Sequence, residues 1–359
     1  MERFNVFKRR DGRWEARIYD VFGKGSQKIK KYFYARTKES CENRAIAYMK
    51  NDSVKAAPDY TFRTICDEWM QQTLHRVKAS TRANYEMKLR IHIRPYFDDF
   101  HLKSISQDVI YDFIHNKTAC SLSTRYISDI IILLKNIFKY AARTYSFSNP
   151  CVGIILPKCT PCKVRLLDGE EQKKLRKYLA KSPNPTSLGV SLCMATGIRI
   201  GELCALQWKD IDLEKRILSV SKTLQRIQCP TDTASTQLTV TEPKSASSNR
   251  VIPLPKSIIP LLKKFQGAGE NYVLSGISKP VEPRTMQYRF QRILKNANLP
   301  SIHFHALRHM FATNCIRLGF DVKILSEILG HSKIEITLNR YVHPSFEQKQ
   351  EYMDRVRIR

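Results

Sequence analysis

Between Ser301 and His343 the chain reads SIHFHALRHMFATNCIRLGFDVKILSEILGHSKIEITLNRYVH and gathers His305, Arg308, His331 and Tyr341. His305 and Arg308 are three residues apart, so on a helix they share a face and can point at a common ligand. Another residue of this kind, Arg199, follows a glycine turn in TGIRIGELCALQWKDID and opens a helix of its own. Arginine is permanently charged and carries its donors in a fork that matches two phosphate oxygens, so it suits a phosphodiester better than lysine does. Phosphodiesters resist attack because their oxygens are anionic. A catalyst must neutralise that charge and activate a nucleophile. Two arginines, two histidines and a phenol can do both, the phenol needing a base and cationic surroundings because its ordinary pKa is about 10.

Short elements must bring these residues together. Asp321 is an N-cap for a helix that sets Val322, Leu325, Ile328 and Leu329 at helical spacing until Gly330 stops it, with His331 at the stop. A short helix over Ile334 to Asn339 then brings Tyr341 back toward His331. Upstream, helices over about Asp168 to Lys181 and Thr186 to Ala195 lead into Arg199, for which a surface salt bridge to Glu202 is the plain alternative role. ILSVSKTLQ and LTVTEPKSASSNRVIPL read as strands of a β-sheet joined by a polar connection from about Arg226 to Gln237. Lys244 lies at the turn after the second of these strands, and Lys222 lies in mid-strand. His305 and His309 stand four apart like the zinc pair of a metalloprotease helix. That motif needs Glu where Ala306 stands, and Arg308 would repel a divalent cation.

The composition points to a polyanion. The chain has 359 residues, room for two or three domains, with 61 Lys plus Arg against 33 Asp plus Glu, a formal net charge of +28 spread along its length. Left unneutralised, such charge repels itself and destabilises the compact state, and nucleic acid is its commonest partner. MERFNVFKRRDGRW has no apolar signal region and the longest aliphatic run, Ile130 to Leu134, is far below a membrane span, so a cytosolic protein without a membrane partner is expected. Ten cysteines without a regular framework are expected to be reduced and mostly buried. Cys159 and Cys162 have no second pair at zinc-site spacing.

Residues 4 to 36 carry three short strand signals, separated by turns at Asp11-Gly12 and Gly23/Gly25. Trp14, Ala16 and Ile18 alternate with Arg13, Glu15, Arg17 and Tyr19, and Ile29 and Phe33 with Lys28, Lys30, Tyr32 and Tyr34. One face is therefore apolar, covered by a helix over about Thr37 to Lys50, and the other basic, aromatic and open. Residues 1 to 55 hold 15 Lys/Arg and 7 Asp/Glu. After a linker over Asn51 to Asp59, helices open at Thr61, Ser80, Asp108 and Ser123 and form an all-helical domain. Arg82, Lys88, Arg90, Arg94, Arg125, Lys135 and Lys139 are expected on its exposed faces. Leu156 to Arg165, with Pro157 and Pro161, reads as a hinge. Pro344 to Arg359 has Phe346, Tyr352 and Val356 spaced for one more helix.

His-x-x-Arg, Leu-Gly-His and Tyr in this spacing, with TGIRIGEL upstream, resemble the signature of the tyrosine recombinases, the phage-integrase family. Ala306 departs from the acidic residue many members carry. HIRPYF and the exit SNPCVGIILPK resemble the family's core-site-binding domain, and the basic N-terminal sheet resembles the arm-type domain of conjugative-transposon and phage integrases. The resemblance implies an α+β multidomain chain: 1–55 arm-type DNA-binding, 59–155 helical core-site-binding, 165–359 catalytic, mainly helical with a small antiparallel sheet. It implies catalytic Arg199, Lys244, His305, Arg308, His331 and Tyr341, with Glu202 orienting them. It implies Tyr341 as the nucleophile that forms a 3′-phosphotyrosyl link, and Lys244, with Lys222 as its rival, as the general acid. DNA contacts are expected from Arg13, Arg17, Lys28 and Lys30 in the sheet and from Arg82, Arg90 and Arg125 in the helical domain. The implied partners are double-stranded DNA at core and arm sites, a homotetramer packed through the C-terminal tail, and an excisionase or DNA-bending protein. No metal or nucleotide cofactor is implied. The sequence has no Walker A loop and no carboxylate cluster for two magnesium ions. A chromosome-resolving recombinase, a type IB topoisomerase and a catalytically silent regulator on this scaffold are the alternatives.

Overall fold

The structure, a computed structural model, describes residues 3–9, 11–21, 27–51, 60–145, 147–157, 165–228, 236–241 and 249–341, with isolated positions beyond. The side chains of Lys28, Lys30 and Tyr341 lie outside that description, as do Lys244, the 22–26 turn, most of the 51–59 and 156–165 linkers, Cys159 and Cys162, and nearly all of 344–359. The chain divides into two compact units, Met1–Thr160 and Pro161–Arg359.

The first unit holds two separate apolar cores. Strands β1 (Arg3–Lys8), β2 (Trp14–Val21) and β3 (Gln27–Ala35) form an antiparallel sheet in that order. Helix α1 (Lys38–Asn51) lays Cys41 and Ala45 against Ala16 and Ile18, all four buried, as the alternation in β2 requires. In β3 the alternation breaks. Ile18 pairs with Lys31 and Tyr19 with Ile29, so Lys30 is the extra residue of a bulge, while Lys28 stands opposite Asp20.

The second core belongs to α2 (Phe62–Leu74), α3 (Ala79–Lys88), α4 (Arg94–Phe97), α5 (Gln107–Ala119) and α6 (Thr124–Tyr145). Ile127, Ile130, Ile131, Leu134, Ile137, Phe138 and Ala141 of α6 are all buried, the stripe expected from their spacing. α3 does not stop before the HIRPYF segment. A π-helical turn over Leu89–Ile93 carries it into α4. Pro95 offers no N–H and its ring crowds the carbonyl four residues back, and the widened turn before it accommodates both.

In the second unit α7 (Gly169–Lys181) starts on a capping box of Asp168 and Glu171, and α8 (Pro185–Thr196) starts on Asn184. α8 is buried on nearly every side and forms the centre of this unit's core. α9 (Ile200–Ala205) comes next. The strands β4 (Ile211–Asp212), β5 (Ile217–Val220), β6 (Thr223–Gln228), β7 (Thr236–Thr241) and β8 (Arg250–Pro253) form two sheets, β4-β5-β8 and the hairpin β6-β7. The segment ILSVSKTLQ is thus one strand of each sheet rather than a single strand, and Lys222 lies between them, not in mid-strand. β6 also extends through Arg226 to Gln228, shortening the polar connection. Packing explains the break: a Cβ on Gly201 would stand 2.5 Å from Thr223 Oγ1 and 2.9 Å from the Leu224 carbonyl oxygen, so only glycine lets α9 lie against the start of β6. The remaining helices are α10 (Ile259–Phe265), α11 (Pro283–Asn296), α12 (Ala306–Arg317), α13 (Val322–Leu329) and α14 (Ile334–Tyr341). Among the described residues no helix is long and apolar enough to cross a membrane.

Candidate active site

The site is built on the C-terminal end of α13. Asp321 caps its start by accepting from the backbone N–H of Lys323 and Ile324, and Gly330, with φ of +65°, ends it. A helix leaves its last four carbonyls without partners inside the helix. Here each has one. Ser326 accepts from the His331 N–H and Glu327 from the Gly330 N–H, a Schellman turn. Ile328 accepts from Arg250 Nε at 2.6 Å and Leu329 from Arg308 Nη2 at 2.6 Å. The next carbonyl, of Gly330, accepts from Arg199 Nη2 at 3.1 Å. Three guanidiniums from three distant segments thus cap three consecutive carbonyls, at the end of the helix where the dipole favours cations. His331 is the next residue.

Arg308 is 2% exposed and also donates to the Gly197 carbonyl at 2.9 Å, which ties it to the turn before Arg199. Arg199 stands at the N-cap of α9. Its backbone N–H donates to Glu202 Oε2 at 2.9 Å and its Nη1 to Oε1 at 2.7 Å. Arg199 keeps 34% of its side chain in solvent whereas Glu202 keeps 4%, so the pair is not a surface salt bridge. Arg250 approaches the same carboxylate from β8, Nη2 to Oε2 at 2.8 Å and Nη1 to Oε1 at 3.1 Å. Burial by itself pushes the Glu202 carboxyl up, but Arg250 and Arg199 outweigh it and hold it below its ordinary value.

His305 is exposed at the N-cap of α12, one turn before Arg308, with its ring edge-to-face on buried His309, centroids 4.7 Å apart. His331 Nδ1 lies 2.8 Å from the hydroxyl of Thr337, a buried residue of α14. That contact joins the end of α13 to the helix whose last residue is Tyr341, a helix two residues longer than the spacing predicts. Lys222 is engaged elsewhere, donating to Gln207 Oε1 at 3.0 Å beside Asp210. The structure therefore brings Arg199, Glu202, Arg308 and the His331 turn together, with His305 one turn away. Sequence reasoning missed Arg250 and Thr337. Arg250 carries a signal in the alternation of β8, where it shares the inward parity of buried Ile252.

A model described as phage integrase family matches residues 165–348, and one described as the N-terminal SAM-like domain of phage integrases matches 61–118. The chain belongs to the phage integrase family. Among this family's members it is 29% identical to a XerC-like tyrosine recombinase of Caldanaerobacter subterraneus, over 89% of this chain and 90% of that one. It is 25% identical to the ICEBs1 integrase of Bacillus subtilis, over 78% and 79%. Its fold matches a Tn1549 transposon integrase solved with transposon right-end DNA, at 24% identity, TM-score 0.70, covering 83% of this chain and 99% of that one. A phage-integrase-family chain of this kind is a site-specific tyrosine recombinase, a DNA strand-transferring enzyme.

In this integrase-family chain the basic residues of the first unit divide. Arg17 lies 4.4 Å from the Phe7 ring centroid and 5.7 Å from that of Tyr32, and Arg9 lies over Tyr34. Both donate at 2.6 Å to Glu15, a buried carboxylate that the expectation of an open basic face did not anticipate. Burial pushes Glu15 up, but Arg17 and Arg9 prevail and hold it below its ordinary value. Arg13 is not part of that cluster; it closes the turn by pairing with Asp11. In the helical domain Arg90 and Arg125 are exposed and Arg82 pairs with Glu86 at 2.7 Å. Lys88, expected at the surface, is buried with its amine 5.8 Å from the Tyr126 ring centroid, because its stem packs where α3 enters the π-helical turn. Arg94 pairs with Asp67 and Lys135 donates to the Ile154 carbonyl.

Proposed function

We propose that the chain is the integrase of a mobile genetic element, cutting and rejoining DNA through a 3′-phosphotyrosyl intermediate. The observation that carries this reading is the meeting of Arg199 and Arg308 on consecutive carbonyls beside His331, with Tyr341 at the end of the helix that leaves that turn. On this reading the two arginines neutralise the non-bridging oxygens of the scissile phosphate, and His305 and His331 donate to it or exchange protons with it. The Tyr341 phenolate attacks phosphorus; the Oη–P bond forms as the bond to the 5′-oxygen breaks. Lys244 delivers the proton that the leaving oxygen takes up, while the phenol proton passes to a neighbouring base. The phosphotyrosine conserves the energy of the bond, so a 5′-hydroxyl of another strand reverses the step without nucleotide or metal. Paired duplexes present four strands, each needing one tyrosine, which makes the working unit a tetramer.

In this assignment residues 59–155 and 165–359 hold the core site, with Arg82, Arg90 and Arg125 on phosphates, and residues 1–55 hold arm sites through Arg13, Arg17, Lys28 and Lys30. The enzyme acts on DNA in the bacterial cytoplasm, with an excisionase or bending protein shaping the site. The long match to a XerC-like recombinase supports a second reading, chromosome resolution, in which no arm site exists.

The test of the chemistry is incubation of the protein with nicked duplex DNA in excess EDTA without ATP, and then a denaturing gel. A covalent adduct is expected for the natural chain. Tyr341→Phe should bind the same DNA and form none, since only the hydroxyl is removed. An adduct in that variant moves the nucleophile elsewhere, and strict need for magnesium replaces the mechanism with a nuclease-type one.

A further inference from the structure

We infer that Arg250 is a positioning residue for the strand-cleavage reaction, aligning Arg199 and the His331 turn through a single buried guanidinium. The inference rests on the catalytic reading proposed for Arg199 and His331. Arg250 is 6% exposed and Glu202 4%, so neither meets solvent in any useful degree. Its two Nη atoms take both oxygens of Glu202, the carboxylate that grips the Arg199 side chain and backbone, while its Nε takes the Ile328 carbonyl. One planar group therefore fixes two things: the carboxylate that aims Arg199, and the end of α13 from which His331 emerges.

Only a guanidinium has this geometry. A lysine amine could keep the charge beside Glu202, but it lacks the rigid fork needed to hold both carboxylate oxygens and the carbonyl together. With the fork gone, Glu202 is free to turn and Arg199 loses its aim. Misplacement of a charge-stabilising group by about 1 Å costs on the order of 10²-fold in rate.

The experiment compares the natural chain with Arg250→Lys on a core-site duplex located by the covalent adduct, in two forms: an ordinary scissile phosphodiester and a methylphosphonate, which lacks the negative charge. Arg250→Lys should melt cooperatively, bind the duplex within about threefold of the natural affinity, and cleave the phosphodiester about 10²-fold more slowly. On the methylphosphonate, where no anion needs an aimed cation, the gap should shrink to about threefold or less. Equal slowing on both substrates, or cleavage of the phosphodiester within about threefold of normal, overturns the inference. If Arg250→Lys does not melt cooperatively, the paired variant Glu202→Gln/Arg250→Gln decides. Both residues aim Arg199, so the loss should stay well below the product of the two single losses, the Ile328 contact of Arg250 accounting for any excess over Glu202→Gln alone, and multiplied losses overturn the inference. Failure of the underlying reading looks different, because the natural chain then gives no Tyr341-dependent adduct on any duplex.

Discussion

A carboxylate kept from water between two guanidiniums persists only because each of its oxygens is matched, and Glu202 is held in this way by Arg199 and Arg250. Breaking such a buried pair costs about 3–5 kcal/mol, since the partner charge is left without compensation. Glu202→Gln should therefore lower the melting temperature at neutral pH. The same substitution should change the acid limb of the stability profile. Because the folded carboxyl titrates below its ordinary value, its contribution is complete above the unfolded value of about 4.3 and disappears as the pH falls through the folded one. Melting temperatures between pH 6 and 3 should fall more steeply for the natural chain than for Glu202→Gln. Parallel curves would mean that Glu202 is not the group being protonated. At this scale much is legible in the sequence: Arg199, Arg308 and His331 stand where their spacing places them. Arg250 and Thr337 are not: the inward parity of Arg250 in β8 marks burial but no partner, and Thr337 meets His331 only once α14 packs against the end of α13.

Among the elements, helical and strand periods are local, and the sequence displays them plainly for α6, α13 and β2, where one face simply packs on a core. The split of one apparent strand into β5 and β6 depends on the approach of α9 through Gly201, and the π-helical turn before Pro95 depends on a continuing helix. Neither is written in the residues concerned. Glu15 is the same kind of case. A charge on the outward face of β2 should meet solvent, yet the flanking Arg9, Arg17, Phe7 and Tyr34 close over it. It holds two guanidiniums at fixed places on the face of the sheet opposite buried Ala16 and Ile18. Glu15→Gln weakens that hold, and binding of the full chain to arm-site DNA should drop by about tenfold while core-site binding stays unchanged, as parallel titrations of the two duplexes can measure. A loss on both duplexes, or on neither, would separate Glu15 from arm recognition.

For the whole molecule, the excess of 28 positive charges predicts affinity that falls steeply with salt, each neutralised phosphate releasing counterions. The division of labour is testable by removing the first residues. A fragment from Asp59 onward keeps the separate helical core and the second unit intact. It should protect and cleave the core site but lose protection of distal arm sites and recombine poorly. Footprints on long attachment-site DNA, read beside recombination yield, distinguish the outcomes. Identical footprints and equal yields would favour the chromosome-resolving reading.

The three arginines that cap α13, less the carboxylate of Glu202, leave two positive charges in the cluster. A resting phosphodiester carries a single negative charge, and the pentacoordinate state it passes through carries a second. On the proposed mechanism the cluster is thus balanced against the fleeting species rather than against the DNA it first binds, which is the condition for a charge to speed a reaction instead of merely tightening a complex. A third uncompensated arginine would hold the substrate harder and gain less. The buried glutamate, which looks at first like a subtraction from the site, sets the guanidinium cluster to the charge of that fleeting state.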